Sequence, residues 1–135
     1  MFDYHIHSIV SFDGHDSGLD LANAAAKQGL GEICFTDHVD LDPLAVSQTM
    51  MVDVNRYNQE YDRLEVPGLK IRRGMEFGLL EHNQSLLLQK LSQRHYDFVL
   101  GSVHFVHGLD VYFKEYWQGK IPGDAQREFL EETLK

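Results

Sequence analysis

The chain is poor in the residues that staple or interrupt a fold. It has one cysteine, Cys34, and 3 prolines. A lone cysteine excludes an internal disulfide framework and a Cys-rich zinc knuckle. No apolar run is long enough to cross a bilayer, and the start, Met1-Phe2-Asp3-Tyr4-His5, has neither the basic residues nor the apolar stretch of a secretory leader. The expectation is therefore a cytoplasmic protein without a membrane partner. Positive charge is also scarce. Lys and Arg total 12 against 21 Asp and Glu, a net charge of −9. Such a balance argues against a nucleic-acid partner or an anionic membrane surface. It leaves room for a small anionic substrate, because bound metal ions reverse the local field of a site. There is no Gly-rich phosphate loop and no Gly-x-Ser-x-Gly elbow, and Cys34 lies within an apolar strand, where a small core residue is the simplest reading.

What the chain does have is histidine, 8 in 135 residues. Histidine is the commonest metal ligand and the usual acid–base group near neutrality. Hydrophobic residues make up 43% of the chain, enough to build a core, so residues 1–135 read as one folded domain.

Short strands alternate with helices. The pattern predicts a strand over Phe2–Ile6 and a helix over Leu19–Gln28, capped by Asp16 or Ser17 and stopped by Gly29. A second strand follows over Glu32–Thr36. Asp40–Met51, which contains Pro43, reads as irregular. Asp53 caps a second helix on which Val54, Tyr57, Tyr61 and Leu64 recur at helical spacing, and Pro67-Gly68 ends it. Lys70–Phe77 is the third strand. Asn83–Gln93 is the third helix, with Leu87, Leu88 and Leu91 as its apolar face. Tyr96–Val103 is the fourth strand. An aromatic loop around Val111–Trp117 and a helix over Ala125–Lys135 complete the pattern. Four β-α units in succession imply parallel strands joined by helical crossovers. A closed barrel of eight such units needs roughly 250 residues. The chain is thus a small open α/β domain or about half of a barrel. The pattern ends inside a helix, which points to the N-terminal portion of a longer barrel.

The polar residues gather where each strand ends. His5 and His7 are two apart on a strand, so both rings share a face and can grip one ion. Two strand-end surface histidines would read the same way. The second strand ends in Thr36-Asp37-His38, the third in Gly74-Met75-Glu76, the fourth in Gly101-Ser102-Val103-His104. In parallel α/β folds, ligands and catalytic groups collect at those ends, so His5, His7, Glu76 and His104 are expected to converge on a metal site. Asp13 lies in a turn beside Gly14. It is either a turn aspartate or an oxygen ligand for a further ion, with His15 as the alternate. Asp37 either orients His38 or caps its loop. His82 and His107 lie in loops near the same mouth, where each either touches substrate or, as the simpler reading, is a solvated loop histidine; His95 precedes a strand and reads as a surface residue. The aromatic run Val111–Trp117 is either core or a covered surface.

Asp3-Tyr4-His5-Ile6-His7-Ser8 with Ser11 and Asp13, then Thr36-Asp37-His38, Gly74-Met75-Glu76 and Gly101-Ser102-Val103-His104-Phe105-Val106 resemble, in that order, the motifs of the PHP (polymerase and histidinol phosphatase) superfamily. Within it the wording is closest to the bacterial histidinol-phosphatases. The resemblance implies a distorted (β/α)7 TIM-like barrel that holds up to three divalent ions. By motif, His5 and His7 would bind the first ion, Glu76 would bridge the first and second, His104 would bind the second, and Asp13 with His38 would bind the third. Many relatives carry histidine at the position of Asp13. Glu76 and His38 would also be catalytic. Mixed imidazole and carboxylate ligands suit zinc, manganese or iron. The implied reaction is metal-dependent hydrolysis of L-histidinol phosphate, a small phosphorylated substrate, in histidine biosynthesis. The alternatives are another PHP phosphoesterase, acting on a different small ester or on nucleic acid, and an inactive metal-binding fragment that self-associates through an open sheet edge. Family members continue with a later histidine motif and an Asp-x-His motif, and the sequence stops before both.

Overall fold

The protein is described here from a computed structural model, which covers residues 1–40 and 53–134. From residue 41 onward, the irregular run expected over Asp40–Met51 lies outside the described residues. In chain order the elements are β1 (Phe2–Ile6), α1 (Gly18–Lys27), β2 (Glu32–Phe35), β3 (His38–Val39), α2 (Val54–Tyr61), β4 (Lys70–Gly78), α3 (Gln84–Ser92), β5 (Phe98–Ser102), β6 (Phe105–Val106), β7 (Leu109–Asp110), α4 (Lys114–Trp117) and α5 (Pro122–Thr133).

All the strands of the main sheet run parallel, as expected from the β-α alternation. β1 pairs with β2, β2 with β4, and β4 with β5. The nine residues of β4 make it the spine of the sheet. Its first half pairs with β2, from Glu32↔Lys70 to Phe35↔Arg73. Beyond that point the chain breaks at Thr36-Asp37 and resumes as β3, which picks up β4 again at His38↔Glu76. The sequence reading ended the second strand at Thr36 and did not resolve β3. Two residues are too few to show any periodicity. Across β4 on the other side, Glu76 is in register with Leu100 of β5.

Beneath the sheet, Ile33, Phe35, Met75 and Phe77 pack with Ala22 of α1, Tyr57 and Tyr61 of α2 and Leu87 of α3. Ser17 caps α1 by accepting the Asp20 amide at 3.1 Å, and Asp53 caps α2 by accepting the Asn55 amide at 2.8 Å. Cys34, between Ile33 and Phe35 on β2, is fully buried, and burial pushes its thiol up to about 12, as fits an inert core residue. Leu88 departs from the expected apolar face of α3. It is 67% exposed, while Leu87 is buried and Leu91 packs against the core. Leu87 and Leu91 are one turn apart, and Leu88 lies about 100° further round the helix.

After β5 the expected aromatic loop is structured. β6 and β7 form an antiparallel hairpin, and α4 follows it. Val106, Tyr116 and Ala125 make a second small core, closed by the Tyr116 hydroxyl donating to the Ala125 carbonyl at 2.6 Å. The aromatic cluster therefore divides. Tyr116 is core, whereas Tyr112 and Trp117 are exposed. α5 starts at Pro122 rather than Ala125, with proline in its first turn, where the missing N–H costs nothing.

Candidate metal centre

Parallel pairing brings the C-terminal ends of β1, β3, β4 and β5 to one mouth. His5 and His7 stand two apart at the end of β1, His38 opens β3, Glu76 lies in β4, and His104 follows β5. Asp13 arrives from the loop between β1 and α1, and buried groups fix that loop. The Ser8 amide donates to Asp37 Oδ1 at 2.9 Å, and the Tyr61 hydroxyl donates to Asp37 Oδ2 at 2.6 Å. The Ile9 amide closes onto the Asp16 carbonyl at 2.9 Å. Gly14 makes the fold-back possible, since a Cβ there would sit 1.8 Å from the Ser8 carbonyl oxygen. The same loop holds β3, because the His38 amide donates to Ser11 Oγ at 2.7 Å. Asp37 thus ties down the loop, the second of its two expected roles. Burial pushes its carboxyl up from the usual range, against the hydrogen bonds it accepts.

The six expected residues meet around Glu76. Its Oε2 lies 2.9 Å from His5 Nε2, 2.9 Å from His7 Nε2 and 3.6 Å from His38 Nε2. Its Oε1 lies 3.1 Å from His104 Nε2. Asp13 Oδ2 lies 2.9 Å from His7 Nδ1 and 3.4 Å from His38 Nε2. The four rings follow one another in an arc, with centroids 4.9 Å apart from His5 to His7, 4.4 Å from His7 to His38 and 4.8 Å from His38 to His104. One carboxylate therefore spans the mouth, one oxygen toward the β1 histidines and the other toward His104.

Sequence reasoning missed a seventh residue. Asp40 is buried, with Oδ1 2.7 Å from His104 Nδ1 and Oδ2 3.5 Å from His38 Nδ1. Its signal was available. His38 and Asp40 are two apart in an extended segment, the same spacing that marked His5 and His7. His15 lines the cleft but belongs to none of the ligand groups found among the described residues, nor do His82, His95 and His107.

Opposite charges support one another within the cluster. Burial pulls the His7 imidazole down, but the facing carboxylates of Glu76 and Asp13 outweigh it and raise the ring to about 9. His104 rises to about 10 in the same way, against burial, through Asp40 and Glu76. Burial pushes Glu76, Asp13 and Asp40 toward the neutral acid, and the facing histidines hold all three below the usual carboxylate range.

Among the described residues, three sets of side chains have ligand atoms within 4.8 Å of one another: His5, His7 and Glu76; His7, Asp13 and His38; His38, Asp40 and His104. An ion with ligands at about 2.0–2.1 Å in tetrahedral array sets those atoms roughly 3.3 Å apart. The separations of 2.9 to 3.6 Å from Glu76 Oε2 to the three imidazoles match that spacing. His7 Nε2 adds a second sign. It is buried and 2.9 Å from Glu76 Oε2, yet makes no hydrogen bond. A nitrogen aimed at a carboxylate without hydrogen-bond alignment suits a shared cation. The residues present therefore fit divalent metal ions. Around them lies a cleft of about 730 Å³, lined as well by Phe12, Val111, Tyr112, Phe113 and Asp110.

Comparison with known proteins places this geometry. The family model described as PHP domain matches residues 3–135. The histidinol-phosphatase of Lactococcus lactis is 34% identical over 132 residues, covering 95% of this chain and 48% of that protein. The probable histidinol-phosphatase of Clostridium acetobutylicum is 32% identical over 114 residues, covering 84% of this chain and 43% of that protein. A crystal structure of histidinol phosphate phosphatase from Lactococcus lactis, complexed with zinc, L-histidinol and phosphate, superposes with a TM-score of 0.89 at 32% identity. That match covers 98% of this chain and 51% of the other. The chain spans about half the length of the curated relatives it matches.

Proposed function

The chain belongs to the PHP domain family, and from that premise we propose that residues 1–135 are the N-terminal portion of a TIM-like barrel that hydrolyses L-histidinol phosphate to histidinol and phosphate. The observation that carries this reading is the span of Glu76, one oxygen against His5 and His7 and the other against His104. A carboxylate so placed can bridge two ions. We assign His5, His7, Asp13, His38, Glu76 and His104 as metal ligands, with Glu76 and His38 also at the reacting phosphate. Zinc, manganese or iron would suit this set, up to three ions in all.

Bound divalent ions supply the positive charge that a phosphate monoester needs and make a water acidic enough to ionise near neutral pH. The chain's own residues do the rest. Glu76 stays ionised despite burial and holds the two sides of the mouth together. His38 lies between the two sides, 3.4 Å from Asp13 and 3.6 Å from Glu76, and can meet the phosphate at the centre. Phe12, Tyr112 and Phe113 line the cleft and can give the organic part of the ester an apolar wall. The relatives named above support this substrate over a nucleic acid, and so does the net charge of −9.

Metal content tests the centre before activity is measured. The chain purified without chelator should carry two or more ions, and Glu76→Gln should lose most of them. Less than about a tenth of an ion per wild-type chain overturns the ligand assignment. Where metal is bound, phosphate release from histidinol phosphate, with no cleavage of a single-stranded oligonucleotide, supports the substrate, and the reverse result assigns a nuclease.

A further inference from the structure

We propose that Asp40 is the positioning residue of the centre, a single carboxylate that anchors the rings of His38 and His104 from behind so that both Nε2 atoms face Glu76. The inference rests on the metal-centre reading above.

The two oxygens of Asp40 address the two Nδ1 atoms, at 2.7 Å for His104 and 3.5 Å for His38. The Nε2 atoms point the other way, to Glu76 Oε1 at 3.1 Å and Oε2 at 3.6 Å. Each imidazole thus stands between a rear carboxylate and the mouth. An imidazole whose Nδ1–H is held by a carboxylate keeps its Nε2 lone pair for an ion, with its orientation fixed and its basicity raised. His38 makes the need plain. Its ring is buried, and its Nδ1 makes no aligned hydrogen bond, so Asp40 is the group facing it among the described residues.

Asp40 has a prepared seat. It is 7% exposed, and it extends past β3 toward the end of β4. A Cβ on Gly78 would lie 2.1 Å from Asp40 Oδ1 and 3.4 Å from His104 Nδ1. Glycine at 78 therefore leaves room for the carboxylate. Asn83 donates to the Gly78 carbonyl at 2.9 Å and holds this end of β4 in place. As a ligand, Asp40 would draw an ion to the Nδ1 side of both rings. The Nε2 side, where Glu76 waits, is the better-formed mouth.

The test uses the 135-residue chain in wild-type, Asp40→Asn, Asp40→Ala and Gly78→Ala forms, with zinc as the probe. Competition against a chelator should show zinc bound 10- to 100-fold more weakly by Asp40→Ala and Gly78→Ala. Asp40→Asn still accepts from an Nδ1–H and should recover part of the loss. In the metal-free chain, proton NMR should show a slowly exchanging ring N–H of His104 that disappears in Asp40→Ala. Thermal melting establishes which variants fold, and the Asp40→Asn and Asp40→Ala pair decides if Gly78→Ala does not. Wild-type zinc affinity in Asp40→Ala, or persistence of the ring N–H signal, overturns the proposal. If Asp40→Asn loses as much affinity as Asp40→Ala while the ring signal stays, Asp40 is itself a ligand. No zinc uptake by the wild type removes the centre itself, and the ring signal still reports separately on Asp40.

Discussion

Burial ought to neutralise Glu76, and its neighbours keep it charged instead. Glu32, at the opposite end of the sheet, shows the same balance without the burial. Hydrogen bonds from Arg72 and Tyr4 hold its carboxyl at about 2. A depressed native pKa contributes stability above the unfolded value, and that contribution is lost as pH falls through the native one. Melting temperature should therefore drop between about pH 4.5 and 2 more steeply for wild type than for Glu32→Gln. Parallel curves would remove Glu32 from the acid response. Single residues were also where the sequence was easiest to read. His5, His7, His38, Glu76 and His104 could be placed because strand ends in a parallel sheet share a mouth, and strand ends show in the alternation of apolar and polar residues. Asp13, in its turn beside Gly14, read either as a turn aspartate or as a ligand, and the family resemblance favoured the ligand. Asp40 escaped, although its two-residue spacing from His38 was there to read, because it opens a run containing Pro43 that reads as irregular.

At the scale of elements, the long ones were legible and the short ones were not. β4 and α1 carry enough residues for a period to emerge. β3, the β6–β7 hairpin and α4 have two to four residues each and exist through tertiary pairing. The loop between β1 and α1 depends on two contacts that can be broken singly. Tyr61→Phe removes the hydroxyl that α2 donates to buried Asp37 and should cost about 1–3 kcal/mol in urea unfolding. Gly14→Ala drives a Cβ into the Ser8 carbonyl and should cost about 3 kcal/mol or more. Because that loop delivers Asp13, Gly14→Ala should also weaken zinc binding, whereas Tyr61→Phe keeps the backbone path and should weaken it less. Equal zinc affinity in wild type and Gly14→Ala would detach Asp13 from the centre.

Across the whole molecule, the ligands come from four separated stretches of chain, so an ion selects the folded state over the unfolded one. Zinc at about 100 times its dissociation constant should add about 2.7 kcal/mol, or about 10 °C in Tm, and a chelator should reverse the gain. A Tm indifferent to zinc would mean that the four stretches do not share an ion. The same separation sets a clock on synthesis. From His5 to His104 is 104 − 5 = 99 residues, which a ribosome adds in roughly 5 to 20 seconds. Glu76 emerges before His104 and for that interval faces β1 with one side of its carboxylate unmatched. The ligand sets that need only β1, β3 and β4 are complete before His104 is made, so the ion that needs His104 is the last to load and marks the moment at which β5 has joined the sheet.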